Sequence, residues 1–410
     1  MIFRPRPIHI KETGLSYFDI VSERPAWSFT QWEKFCETEL IRLNSSDMDI
    51  APAPAIRAAL ADQVVRGTFA ATPPPGLSRT LIHYYQRRYD WTIQADWIVW
   101  LPGPTQGVNL AVKACCSTDD GAITFSPGDP ALSSAPGLQG RELFELALVP
   151  RAGATTNTLH YDIDFEGLQT AMPQSSLLQL SNPGNPLGRI LDEREIDRLA
   201  ELCVRHNMYV CSSEADADLV LDGGAAHRPL AQALARRAPA LLNRTITLGG
   251  SGKAYNVAGI GMGWAIIPDP LLRTRFQEAR QMLVPDPGCF AYAALHATLT
   301  DSEDWLQETL ARLRQNRALV SAALDAMDLP HTEPQAACLT WIDMRKLATR
   351  VGKVVPYFER HGVLLGDGAH FGQPGFATLN FACATSLLQQ ALLRMRKAVD
   401  ESWNVKERDR

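Results

Sequence analysis

The sequence predicts an α/β protein: a three-layer α/β/α large domain around a mostly parallel sheet, with a smaller α+β lobe attached. Three observations carry that expectation. Short apolar runs alternate with helical patterns through the middle of the chain. The pattern changes after about Pro285, and 410 residues are enough for one large or two moderate hydrophobic cores.

Taken in order, "WIVWLPG" precedes the helical "VNLAVKACC", "GAITFSP" precedes a loop, and "LLQLSNPGNPLG" precedes "EREIDRLAELCVRH". "MYVCSSEAD" leads into a further helical stretch, and "RTITLGGSGK" follows. Strands separated by helices form parallel sheets covered on both faces, so chemistry is expected at the carboxyl ends of the strands. Beyond Pro285 come the amphipathic "SEDWLQETLARLRQNRALVSAALDAM", the strands "CLTWIDMR", "GVLLGDGAHFG" and "FATLNFAC", and the terminal helix "SLLQQALLRMRKAVDESW". The expected division is an N-terminal segment over 1–50 that joins the small lobe, a large domain over 51–284 and a small domain over 285–410. "ATPPPG" at 71–76 reads as a surface turn or lid, and Trp27 and Trp32 as packing residues of the N-terminal segment.

A net charge of −5 gives no general reason to expect nucleic acid or an anionic membrane as partner, and favours a small-molecule substrate. The first residues hold no uninterrupted apolar region, and no run reaches the roughly 18 apolar residues of a membrane span, so a soluble, cytoplasmic protein is expected. Eight cysteines lie at Cys36, Cys115, Cys116, Cys203, Cys211, Cys289, Cys338 and Cys383. None has C-x-x-C or Cys/His metal spacing, so buried free thiols and no metal centre are expected.

The stretch "TLGGSGKAYNVAGIGMGWAI" poses the functional question, because a lysine, Lys253, follows small residues at the end of an apolar strand. A phosphate-binding P-loop fails on Thr247, where its first glycine belongs, and on Ala254, which lacks the hydroxyl that would reach a magnesium ion. A solvated surface lysine and a lysine that condenses with an aldehyde, with glycines admitting a bulky ring, both remain.

Separated segments decide for the aldehyde. "SSDMDIAPAPAIRAAL", "LPGPTQGVNLAVKA", "SNPGNPLGRIL", "ELCVRHNMYVCSSEADADLVLDG", "GGSGKAYNVAGIGMGWAIIP" and "FATLNFAC" occur in this order almost end to end. Together they resemble the fold-type I pyridoxal-phosphate enzymes of the aminotransferase class I/II superfamily, within them the cystathionine β-lyase (C–S lyase) branch. The resemblance implies pyridoxal 5'-phosphate (PLP) as cofactor, Lys253 as the Schiff-base residue and Asn185 beside the phenolic oxygen. It implies a phosphate cradled by the backbone of Pro104 and Thr105, with Ser251 the remaining serine near the lysine. It also implies a homodimer with sites at the subunit interface.

Several positions depart from that pattern. Ser213 stands where an aspartate would keep the pyridine nitrogen protonated, which weakens the ring as an electron sink. Asp129 replaces the aromatic residue that stacks on the ring, Asp216 a tyrosine or histidine, Ala71 a tyrosine from the neighbouring subunit, and Gly250 and Gly252 the flanking serines. Thr378, a candidate substrate contact, replaces the arginine that grips an amino acid's carboxylate, a loss of about 2–5 kcal/mol for a buried anion. Lower cofactor affinity is expected, and ordinary amino acids are doubtful substrates.

The expectation is therefore a PLP enzyme acting on an unusual amine or a cysteine-derived conjugate in specialised metabolism. The alternative is a scaffold that no longer uses PLP, either a non-catalytic partner or a catalyst with Asp129 and Asp216 as an acid/base pair beside Lys253. His206 reads as a helix-end cation or cap. His361 and His370 read as surface residues or substrate contacts.

Overall fold

The computed structural model describes residues 40–408 apart from 71, 154–156, 223–226 and 282. Trp27, Trp32, Cys36 and Ala71 lie outside the described residues. In chain order, β1 (Ile41–Leu43), α1 (Pro54–Arg66), α2 (Leu77–Tyr89), β2 (Ile98–Leu101), α3 (Pro104–Cys115), β3 (Gly121–Ser126), α4 (Pro130–Leu138) and β4 (Glu142–Ala147) come first. A ribbon of β5 (Val149–Ala152) and β6 (Leu159–Asp162) leads to α5 (Phe165–Ala171), β7 (Ser175–Ser181), α6 (Glu193–Arg205), β8 (Tyr209–Ser213) and α7 (Leu230–Arg237). Then follow β9 (Thr245–Gly249), β10 (Gly263–Ile266), α8 (Pro270–Arg280), α9 (Cys289–Asp301) and α10 (Glu303–Ala326). The chain closes with β11 (Leu339–Asp343), α11 (Arg345–Val351), α12 (Val354–Arg360), β12 (Val363–Asp367), β13 (Phe376–Asn380) and α13 (Thr385–Arg408).

The large sheet has seven strands in the order β2-β10-β9-β8-β7-β3-β4, and only β10 runs against the rest. Successive residues of its central strands enter opposite cores. Ile123, Leu178 and Val210 pack on the side of α6 and α7, whereas Ala122, Leu177 and Cys211 pack on the side of α3 and α8. Side chains alternate across a strand, so this two-sided burial is what apolar runs without polar alternation require, and the expected three-layer architecture is observed. A second sheet, in the order β1-β12-β13-β11, shares its core with α10 and α13.

Local chemistry places the helices. Asp192 and Glu195 form a reciprocal capping box at the start of α6, whose Ile196, Leu199, Leu202 and Cys203 make one buried stripe. Pro104 opens α3, where a missing N–H costs nothing. Gly107 lets α3 lie close on the sheet, because a Cβ there would come within 2.6 Å of Leu248 Cδ2.

One element corrects the sequence reading: residues after "GAITFSP" form α4 rather than a loop. Asp129 caps it by accepting from the Ala131 amide at 3.0 Å, and Pro130 takes the first helical position. Pro136 inside this short helix is the breaker signal that hid it. Cys115, Cys116, Cys203, Cys211, Cys338 and Cys383 are buried free thiols, and Cys289 is half-buried. Among the described residues, no helix is long and apolar enough to cross a membrane.

Candidate functional site

The chain leaves the carboxyl edge of the large sheet at the ends of β2, β3, β7, β8 and β9, and these exits deliver Pro104, Asp129, Asn185, Asp216 and Lys253 respectively. A cavity of about 500 Å³ lies there, lined among others by Pro104, Thr105, Gln106, Asp129, Ser213 and Lys253. Its size is that of an ordinary small-molecule site.

Lys253 sits in the turn after β9, and the glycines around it have steric reasons. A Cβ on Gly252 would approach Ala258 Cα to 2.9 Å, and one on Gly250 would meet Pro104 Cγ at 3.1 Å. A serine at either position would push the turn away from its neighbours. Lys253 Nζ donates to Asp216 Oδ2 at 2.7 Å, in a pair whose side chains are 25% and 7% exposed. Burial by itself lowers the affinity of the Lys253 amine for its proton. The carboxylates of Asp216 and then Asp129 outweigh that, and hold the amine above the ordinary lysine value.

Asn185 follows β7, its amide N–H donating to Ser181 Oγ at 3.2 Å. Its side-chain Nδ2 donates to Asp129 Oδ2 at 3.2 Å, while Asp129 Oδ1 caps α4. Asp129 thus ties the residue after β7 to the helix after β3.

The N-terminus of α3 faces the cavity. Its first amides have no partner inside the helix and carry the positive end of the helix dipole, so they suit an anion. Pro104 has no N–H and supplies shape only; the donors are the amides of Thr105 and Gln106. Sequence reading missed Gln106, although its place in the first turn after "LPGPT" was the available signal.

Ser213 lines the cavity and is 7% exposed, whereas Ser251 is 3% exposed and does not line it. Thr378 lies in β13, buried, opposite Gly366 of β12, where a Cβ would come within 2.1 Å of its Oγ1. It is not part of the cavity wall. The Cys338 thiol is pushed up to about 12, first by burial and then by the Asp216 charge, which leaves it an inert neutral group.

Asn256 is a second residue that sequence reading passed over. It adopts a left-handed backbone (φ 54°), donates to the Met48 and Ile50 carbonyls at 2.8 and 2.6 Å, and accepts from the Met48 amide at 3.1 Å. The turn that carries Lys253 is thereby fastened to the segment before α1. Asparagine is among the few side chains that tolerate this backbone, and that was the signal. His206 is the C-terminal cap of α6, as expected. His361 ends α12 and bonds Glu401 at 3.1 Å, and His370 is exposed.

A phosphorylated pyridine aldehyde fits these residues. The amides of Thr105 and Gln106 would hold its phosphate, Lys253 Nζ its aldehyde carbon, Asn185 its phenolic oxygen and the Ser213 hydroxyl its ring nitrogen. Gly250 and Gly252 also form part of the cavity wall.

Comparison with known proteins gives the family. The aminotransferase class I and II model matches residues 38–394. Cystathionine beta-lyase PatB of Bacillus subtilis (strain 168) is 28% identical over 396 residues, covering 93% of this chain and 99% of PatB. The crystal structure of OvoB is 32% identical and superposes with a TM-score of 0.84 over 92% of this chain and 97% of that one. Cystalysin from Treponema denticola, solved with a pyridoxal 5'-phosphate cofactor, is 24% identical and shares the fold with a TM-score of 0.87 over 94% and 100% of the two chains. The chain belongs to the aminotransferase class I and II family.

Proposed function

We propose that the chain is a PLP-dependent enzyme of the C–S β-lyase and aminotransferase type, acting on an unusual amine or a cysteine-derived conjugate in specialised metabolism. The observation that carries this reading is the Lys253 amine at a strand end, in a cavity that the N-terminus of α3 also faces. Family membership and the likeness to a cystathionine β-lyase support it. The same membership supports a homodimer whose sites form between subunits.

When bound, PLP supplies an electron sink that stabilises negative charge developing on a substrate carbon. The protein's own groups do the rest. The amides of Thr105 and Gln106 hold the anionic end and fix the ring's position. Asn185 Nδ2 is oriented by its hydrogen bond to Asp129, a residue of the cavity wall, and keeps a second N–H that could serve the phenolic oxygen. Lys253 Nζ, once it has given up the proton that Asp216 and Asp129 hold on it, is the base for the proton on the carbon next to the substrate nitrogen, and Asp216 Oδ2 orients that amine. Ser213 can donate a hydrogen bond to a ring nitrogen without supplying a full negative charge, so charge build-up on the ring is moderated.

The test is the absorbance spectrum of the purified protein with added PLP, before and after borohydride, with peptide mass mapping. A visible band that vanishes on reduction and leaves a pyridoxyl mass on Lys253 supports the reading. Release of a thiol, ammonia and a 2-oxo acid from an S-substituted cysteine then identifies β-elimination, whereas dependence on an added oxo acid identifies transamination. No adduct at excess PLP would overturn it in favour of a cofactor-free site built on Lys253, Asp216 and Asp129, which the Lys253–Asp216 pair favours.

A further inference from the structure

Side chains alternate along β8: Val210 packs on the side of α6 and α7, Cys211 on the side of α3. Ser212 therefore turns away from the cavity and Ser213 towards it, where Ser213 joins the wall. Glu214, the next residue, is committed on the side of α7. Its Oε1 accepts from Ser212 Oγ at 2.9 Å and from the Leu230 amide at the start of α7 at 2.8 Å, and its Oε2 lies 2.8 Å from His227 Nε2. Two further carboxylates near the site are engaged as well, Asp216 by the Lys253 amine and Asp129 by the Ala131 amide and the Asn185 side chain. What the end of β8 presents to the cavity is thus a neutral hydroxyl.

A hydroxyl can donate to a pyridine nitrogen, but it offers no negative charge to favour a proton there. A pyridine without that proton is the weaker electron sink. When Lys253 Nζ takes the proton from the carbon next to the substrate nitrogen, the electron pair left behind then needs another destination. A leaving group on the neighbouring carbon provides one. The pair becomes a carbon–carbon double bond, the bond to the leaving sulfur breaks, and a thiolate departs, to be protonated in turn by Lys253. Water hydrolyses the remaining enamine to ammonia and a 2-oxo acid.

We propose that Ser213 keeps the cofactor's ring nitrogen unprotonated, and thereby restricts the chain to substrates with a leaving group on the carbon beside the one that loses its proton. The inference rests on the cofactor reading above, and makes Ser213 a specificity-determining residue.

The experiment uses the full chain loaded with PLP that carries nitrogen-15 in its ring, with loading verified by the borohydride-trapped mass on Lys253. The nitrogen chemical shift of the parent protein is expected at the position of an unprotonated pyridine, and should move towards the pyridinium position in Ser213→Asp. S-phenyl-L-cysteine is then compared in deuterated water with L-homophenylalanine, which has the same shape with a methylene in place of sulfur. The parent should release thiophenol from the first and leave the α-hydrogen of the second unexchanged, although both compete for the site. In Ser213→Asp that exchange should quicken on the order of tenfold, the equivalent of about one pKa unit in favour of the charged ring. A pyridinium shift in the parent, or exchange of homophenylalanine as fast as thiophenol release, would overturn the inference and leave the cofactor reading intact. So would a loaded parent that leaves S-phenyl-L-cysteine whole. These outcomes are read on the parent, so they stand even where Ser213→Asp fails to fold. Failure of Lys253 to load would overturn the cofactor reading and this inference with it.

Discussion

Lys253 Nζ and Asp216 Oδ2 form a largely buried ion pair 2.7 Å long, with the base supplied by the turn after β9 and the acid by the turn after β8. Because Asp216 and Asp129 hold the amine above the ordinary lysine value, the proton is bound more tightly in the folded state than in the unfolded one. The pair's contribution to stability is therefore complete below the unfolded lysine value of about 10.4, and is lost as pH climbs through the higher folded value. Asp216→Asn should flatten this alkaline loss in urea titrations at successive pH values. It should also speed borohydride-trapped capture of PLP at neutral pH, because the amine then gives up its proton more easily. Slower capture in Asp216→Asn would contradict the assignment.

Asp129→Ala should cost about 1 kcal/mol in urea unfolding through loss of the α4 cap, and should free the Asn185 amide to rotate. Asp129→Asn keeps an acceptor for Ala131 and should recover most of that stability. Both should weaken PLP retention in equilibrium dialysis. If only the alanine variant lost cofactor, the contribution of Asp129 to the site would be through α4 alone.

Gly107→Ala should strain the contact between α3 and β9 by about 1–3 kcal/mol, because its Cβ would come within 2.6 Å of Leu248 Cδ2. Any outward shift of α3 carries the amides of Thr105 and Gln106 with it. Inorganic phosphate, used as a competitor of PLP capture, should therefore bind more weakly to this variant than to the parent.

Asn256→Ala removes the side-chain bonds to Met48 and Ile50 and leaves alanine in a left-handed backbone. A loss of about 1–3 kcal/mol is expected. Hydrogen exchange should rise first over residues 47–53 and in the Lys253 turn. Uniform exchange over the whole chain would show that the bonds stabilise the fold without fastening this segment to the site.

Much of the site was legible in the chain. The alternation of apolar runs and helical patterns gave the large sheet's central strands in chain order, and "SNPGNPLG", "SSEADADL" and "SGKAYN" singled out Asn185, Asp216 and Lys253 as candidates. Helix α4 was not legible, because Pro136 and the small residues around it look like a loop until Asp129 is seen capping the first turn. The role of Pro104 was misread for a similar reason. A motif marks a place in the chain, but a proline lacks the N–H that a phosphate would need, and the first amides of this helix that face the cavity belong to the next two residues.

What the sequence by itself determined is the α/β alternation, the turn chemistry and the identity of the residues at each strand end, since all of these depend on spacing and local conformational preference. Only the tertiary structure decided which carboxylate meets which partner. Asp216 pairs with Lys253 across 37 positions and Asp129 with Asn185 across 56. Thr378 turns instead towards Gly366, away from the cavity wall. Those pairings follow from parallel strands laid side by side, which bring their carboxyl-end loops together whatever the length of chain between them.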